Sequence, residues 1–180
     1  MTRILLDACV LYPTVLREIL IAAAARGLYT PLWSARLLEE WARAAARHSA
    51  ADEAIARGEI ALLRAAFPKA EIAPHAGLEA RLHLPDADDI HVLAAAIAGS
   101  AEAIVTFNAR DFPRAALAAE GLRRDDPDAF LLALWLDRPE PLEAAVEEVR
   151  ARTEAISGRP QPLRPLLKRA RLPRLGKALG

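Results

Sequence analysis

Carboxylates recur in this sequence where chain elements begin and end. Asp7 closes the apolar run Ile4-Leu5-Leu6, and Glu40 lies beside the stripe Leu37, Leu38 and Trp41 of a helical stretch that opens at Ser34. Asp86, Asp88 and Asp89 precede an apolar helix, and Asn108 and Asp111 follow the run Ala103-Ile104-Val105-Thr106-Phe107. Several carboxylates in one cleft repel one another and are pushed toward protonation unless a cation intervenes. Hard oxygen donors with no histidine or thiolate in the set point to Mg²⁺ or Mn²⁺ rather than zinc. Divalent ions held in this way serve phosphodiester hydrolysis. No Ser-His-Asp arrangement, Gly-rich phosphate loop or zinc-binding helix motif competes for the role.

Two short strands and two helices must position these groups. Residues 4–6 and 103–107 are apolar and rich in branched side chains, as interior strands of a parallel sheet are. Open α/β sheets place their chemistry beyond the carboxyl ends of such strands, where Asp7, Thr106, Asn108 and Asp111 stand. Ser34 is a helix N-cap for residues 35–48, and of Glu39 and Glu40 the second has the phase to face inward. Pro85 and Asp86 open a helix that is apolar almost all round through Ile97 and is stopped by Gly99. Asp86 reads there as an ordinary helix-start acid, and His91 as a hydrogen-bonded or surface histidine.

Elsewhere the spacing predicts helices at residues 15–26, 52–66, 115–120, 128–136 and 142–156, with weaker strands at 28–33 and 71–73. The order of elements implies an α/β sandwich with a mainly parallel sheet. The divisions expected are a domain over 1–136, a helical extension over 137–157 and a basic, Pro-rich tail over 158–180. Trp33, Trp41 and Trp135 read as core or interface anchors.

At 180 residues, 53% of them hydrophobic, the chain can bury one sizeable core. Cys9 is the only cysteine, which excludes an internal disulfide and a cysteine-rich zinc site. Neither a signal peptide nor a membrane span fits the N-terminal stretch, so a cytoplasmic protein is expected. The net charge of zero conceals an asymmetry: residues 151–180 hold eight basic side chains against Glu154 alone, a local +7 balanced by −7 on the rest. That basic end could grip RNA, remain disordered or dock on a neighbouring subunit.

Four blocks, LLDACVL, WSARLLEEW, DADDIHVLAAA and VTFNARDF, resemble in order and spacing the signature blocks of PIN-domain nucleases. The likeness is greatest to the VapC-like toxins of bacterial toxin–antitoxin pairs, and it covers residues 3–112. It implies a PIN-like three-layer α/β/α sandwich, dependence on Mg²⁺ or Mn²⁺, and endonucleolytic cleavage of RNA. It also implies a small antitoxin partner that covers the acidic groove, and the alanine- and leucine-rich helix faces suit a homodimer.

By this resemblance Asp7 matches the first metal-binding aspartate, and Glu40 the glutamate six residues past Ser34. Asp88 matches the third acid, seven residues before Ala95 and eleven before Gly99, with Asp89 as the alternative alignment. Thr106 matches the threonine that orients the site. Asn108 stands where many relatives carry aspartate, leaving Asp111 to complete the set. Cys9 replaces an asparagine or serine, and a thiol is a weak hydrogen-bond partner, so looser orientation of Asp7 is expected. A catalytically degenerate module that binds RNA or protein is the alternative these two departures support. Aspartate-nucleophile phosphatases also begin from a strand ending in aspartate. They need a second acid where Cys9 stands and a later lysine, and only Lys69 precedes Phe112.

Overall fold

The computed structural model describes residues 1–180. Five parallel strands form the sheet: β1 (Arg3–Leu6), β2 (Thr30–Ser34), β3 (Glu71–Ile72), β4 (Ala103–Val105) and β5 (Arg123–Asp125), in the order β3-β2-β1-β4-β5. β1 is central, with Leu5 level with Leu32 on one side and with Ile104 on the other. The chain winds outward from β1 in both directions. Strand order therefore reverses between β1 and β4, and a crevice opens beyond their carboxyl ends.

Both faces of the sheet are covered at its centre, which is why β1 and β4 read as continuous apolar runs. Ile4, Leu6, Ala103 and Val105 point into one core, and Leu5, Leu32 and Ile104 into a second, as the two-residue period of a strand requires. The first core is closed by α2 (Thr14–Ala25), α3 (Ala35–Ala46), α4 (Ala50–Ala66), α8 (Pro127–Asp137) and α9 (Pro139–Ser157). The second is closed chiefly by α6 (Ile90–Ala98), with α5 (Ala76–Arg81) and α7 (Arg114–Ala119) at its margin. The short α1 (Ala8–Leu11) leads from β1 into α2. No helix is long and apolar enough to cross a membrane.

Several boundaries differ from the sequence reading. The helix expected from Pro85 begins instead with a 3₁₀ turn, Ala87–Asp89, and becomes α-helical only at Ile90. Gly99 does end α6, but with φ −79°, while Ser100 takes the left-handed position at φ 51°. Glycine suits 99 by closeness: a Cβ there would lie 3.0 Å from both the Ile72 and Leu32 side chains, which would have to shift to admit it. Pro139 and Pro141 do not delay α9; they sit in its first turn, where the missing N–H costs nothing.

The basic stretch over 158–180 is ordered. It forms α10 (Leu163–Arg169) and α11 (Pro173–Leu179), and Leu167, Leu172 and Leu175 join the first core. Asp128, buried on α8, accepts from the backbone N–H groups of Arg174 and Leu175 at 2.8 and 3.0 Å. It thereby satisfies the exposed donors at the start of α11. Replacing it leaves the buried Leu175 N–H and the part-buried Arg174 N–H without partners. Asp128→Ala is therefore expected to lower unfolding free energy by about 2 kcal/mol, read from the urea midpoint at unchanged slope.

Candidate functional site

Asp7 stands at the carboxyl end of β1 as the N-cap of α1, buried at 7% exposure. Its Oδ1 accepts from the Ala8 N–H at 2.7 Å. Its Oδ2 accepts from the Thr106 hydroxyl at 2.6 Å and from the Cys9 thiol at 3.3 Å. Its backbone N–H donates to the Val105 carbonyl at 3.2 Å, so β1 and β4 hold the residue jointly. Burial pushes the carboxyl above its ordinary range, and the charge of Glu40 adds to this; the three hydrogen bonds act in the opposite sense.

Cys9 does not loosen this arrangement. Burial and the neighbouring Asp7 charge push its thiol up to about 12, so it stays a protonated S–H donor at neutral pH. Its sulfur also accepts from the Phe107 N–H at 3.4 Å. The weak thiol contact is backed by the shorter Thr106 bond to the same oxygen. Thr106, itself buried, accepts in turn from the Asn108 N–H at 2.9 Å.

Three further carboxylates converge. Asp86, Asp89 and Asp111 each bring an oxygen to within 4.8 Å of the others. Asp86 caps the 3₁₀ turn by accepting from the Asp88 N–H at 2.9 Å, and the Asp89 N–H bonds to the Asp86 carbonyl at 3.2 Å. In a 3₁₀ turn residues three apart eclipse, so Asp86 and Asp89 share a side. Partial burial raises Asp89 to about 6, helped by the charges of Asp7, Asp111 and Asp86. Asp7 and Asp89 thus belong to one electrostatic neighbourhood. Asp88 is exposed, stands outside the three-acid group, and has no side-chain hydrogen bond or ion pair; its carbonyl meets Arg36 at 3.5 Å. The Asn108 carboxamide donates to Asp111, linking that acid to the Thr106 turn.

Glu39 and Glu40 part company on α3. Glu39 is taken up by Arg57 at 3.0 Å and Arg43 at 3.2 Å. Glu40 turns toward α6, its Oε1 2.9 Å from the Nε2 of His91 and 3.5 Å from Arg36. His91 is buried at 6% exposure, two residues beyond Asp89. Sequence reasoning left both His91 and Asp86 outside the site. The three-residue spacing of Asp86 and Asp89 was a signal for that pair; the Glu40–His91 contact depends on how α3 and α6 meet and had none.

The donor set is all oxygen, and two of its carboxyls are held above their ordinary range by burial and mutual repulsion. A divalent cation relieves both effects, so the residues fit a hard metal ion.

No curated protein and no solved structure matches the chain. Among known families the PIN domain matches residues 3–110, which include Asp7, Glu40, Asp86, Asp88, Asp89, Thr106 and Asn108 and stop one residue short of Asp111. PIN domains are generally metal-dependent nucleases. With more than half its length matched and a parallel sheet carrying the acidic crevice, the chain belongs to the PIN-domain family.

Proposed function

We propose that this protein is a divalent-metal-dependent endoribonuclease, and that it serves as the toxin of a toxin–antitoxin pair. The observation that carries the enzyme reading is the convergence of Asp86, Asp89 and Asp111, near enough to Asp7 at the end of β1 for Asp89 to feel its charge, with Glu40 acting on Asp7 in the same way. The toxin role rests on the likeness of the four sequence blocks to VapC-like proteins, and it calls for a small antitoxin seated over the acidic crevice.

Asp7, Asp89 and Asp111 would hold Mg²⁺ or Mn²⁺, with Asp86 and Glu40 at the edge of the set. When bound, such ions activate water as a nucleophile and offset charge that develops on the phosphodiester. Thr106 fixes the rotamer of Asp7 through the 2.6 Å bond, so the carboxylate does not have to be ordered when substrate arrives. Asn108 restrains Asp111 and so stands in the position of a positioning residue rather than of a fourth acid.

The test is cleavage of a structured RNA by the purified protein in Mg²⁺, Mn²⁺ or EDTA, with Asp7→Asn prepared identically. Cleavage is expected with either metal and not in EDTA, and to fall by ~100-fold or more in the variant. RNA bound but uncut under every metal condition would replace the enzyme with a binding module, and would make Asn108→Asp the next variant to assay.

A further inference from the structure

Beside the acidic crevice lies a second cleft, of about 780 Å³, that begins at Ala8 and Cys9 and has Glu40 on its wall. The rest of its lining joins three arginines and the rings of Tyr12, Trp41 and His48 to the apolar Pro13 and Ala44. Arg43 and Arg47 project from α3 and the loop after it, Tyr12 and His48 face each other, and Arg171 enters from the C-terminal segment. The Tyr12 and His48 rings are near-parallel, 17° apart with centroids at 6.2 Å. Tyr12 is fixed from below by the buried Arg17, which donates to the Leu11 and Tyr12 carbonyls at 2.8 and 3.0 Å.

Arg171 is the unusual residue. It sits just past α10 in a left-handed conformation, φ 62°, with its N–H bonded to the Lys168 carbonyl and that of Leu172 to the Leu167 carbonyl. This is the helix-terminating turn that glycine occupies most easily, because a Cβ is strained there. The arginine placed there instead lays its guanidinium 3.7 Å over the ring of Phe107, the residue after Thr106. It forms no ion pair, nor does Arg47, whereas Arg43 is shared with Glu39. Apart from its contact with the Phe107 ring, this arginine stands exposed and strained at the mouth of the cleft, with no acidic partner and its guanidinium N–H donors free for a ligand.

We propose that Arg171, from a segment beyond the PIN match, completes with Arg47, Arg43 and the Tyr12–His48 pair a binding cleft for unpaired RNA next to the acidic site. The inference rests on the ribonuclease reading and adds where the substrate strand lies. Clustered carboxylates repel the phosphates of any strand drawn to them, and arginines alongside offset that repulsion. Aromatic faces interleaved with arginines suit unpaired bases, which a duplex keeps stacked inside. An acidic protein segment would use the arginines but gain nothing from the rings beside them.

Fluorescence anisotropy in EDTA, with a labelled unpaired RNA roughly ten nucleotides long, separates binding from cleavage. Arg47→Ala and Arg171→Gly are each expected to weaken binding about fivefold or more and to reduce the salt slope by about 0.7. Arg171→Gly is also expected to keep or raise the thermal midpoint, since it removes the left-handed strain. Unchanged binding by Arg171→Gly, or a lowered midpoint with binding intact, would overturn the proposal and leave the arginine a packing residue. A hairpin duplex bound as tightly as the unpaired strand would also overturn it. So would poly-glutamate competing as strongly with the same sensitivity to both variants, which would assign the cleft to a protein partner. Loss of affinity in the variants without any Mg²⁺-dependent cleavage would keep the cleft and sink the enzyme. Wild-type cleavage and binding by Arg171→Gly would do the reverse.

Discussion

Asp89→Asn is expected to lower metal-dependent RNA cleavage by ~100-fold or more, while Asp88→Asn stays within about threefold of the parent. The two residues are adjacent, carry the same group, and are told apart only by the turn that bears them. Had an α-helix begun at Asp86, the spacing to Ala95 and Gly99 would favour Asp88. The chain instead makes a 3₁₀ turn over Ala87–Asp89, closed by the Asp89 N–H on the Asp86 carbonyl. Eclipsing at three residues per turn then sets Asp89 above Asp86 and against Asp111, and leaves Asp88 in solvent. Single-turnover cleavage at saturating RNA reads the difference without interference from binding. The opposite ranking, Asp88→Asn inactive and Asp89→Asn active, would return the third acid to the position that sequence spacing favours. Asp86→Asn is expected to fall between the two, because Asp86 shares the cluster but is the most exposed of its three members.

What the sequence disclosed well are the parts that hydrophobic pattern controls. β1 and β4 were legible because both of their faces are buried, and the polar groups at their ends were legible because a strand's end is where such groups collect. β5 was missed for the converse reason. Its residues Arg123, Arg124 and Asp125 carry no apolar signal, and as an edge strand it is held by backbone pairing to β4 and by Arg124 reaching the carbonyls of Ala109 and Phe112 at 2.6 and 2.9 Å. The C-terminal stretch was obscured by its prolines. Pro162 and Pro173 stand where helices start, and the leucines at 163, 166, 167, 172 and 175 carried the packing signal that the charge obscured. Asp86 and His91 read as outside the site because each has an adequate local explanation, a helix-start acid and a hydrogen-bonded or surface histidine. Only the meeting of the 3₁₀ turn with α3 and with the turn after β4 gives them neighbours.

Without divalent cation, the fold is expected to gain stability as pH is lowered from about 7 to about 5, and Mg²⁺ is expected to abolish most of that trend. The sign follows from Asp89, whose carboxyl rises from 3.8 to about 6 on folding. Between those values the folded chain binds the extra proton, so the contribution to stability is complete below the unfolded value and is lost as pH climbs through about 6. Asp7, raised by burial, acts in the same direction. Acids held below their ordinary range, such as Glu39 at about 2 beside Arg57, lose their contribution only further into acid, which leaves the window above pH 5 to the raised group.

A cation that binds only the folded chain adds about 2.7 kcal/mol at a concentration a hundred times its Kd, a rise of roughly 5–10 °C in a chain of this size. Because its ligands must be ionised, the rise is expected to be larger at pH 7.5 than at pH 5. Asp89→Asn should raise the cation-free midpoint at neutral pH, flatten the acid side of the profile and shrink the Mg²⁺ shift. Differential scanning fluorimetry across pH with Mg²⁺ or EDTA tests all three without reference to cleavage. An Mg²⁺ shift of equal size in Asp89→Asn would move the cation away from Asp86, Asp89 and Asp111. It would leave the raised Asp89 as a cost of folding with no ion to relieve it.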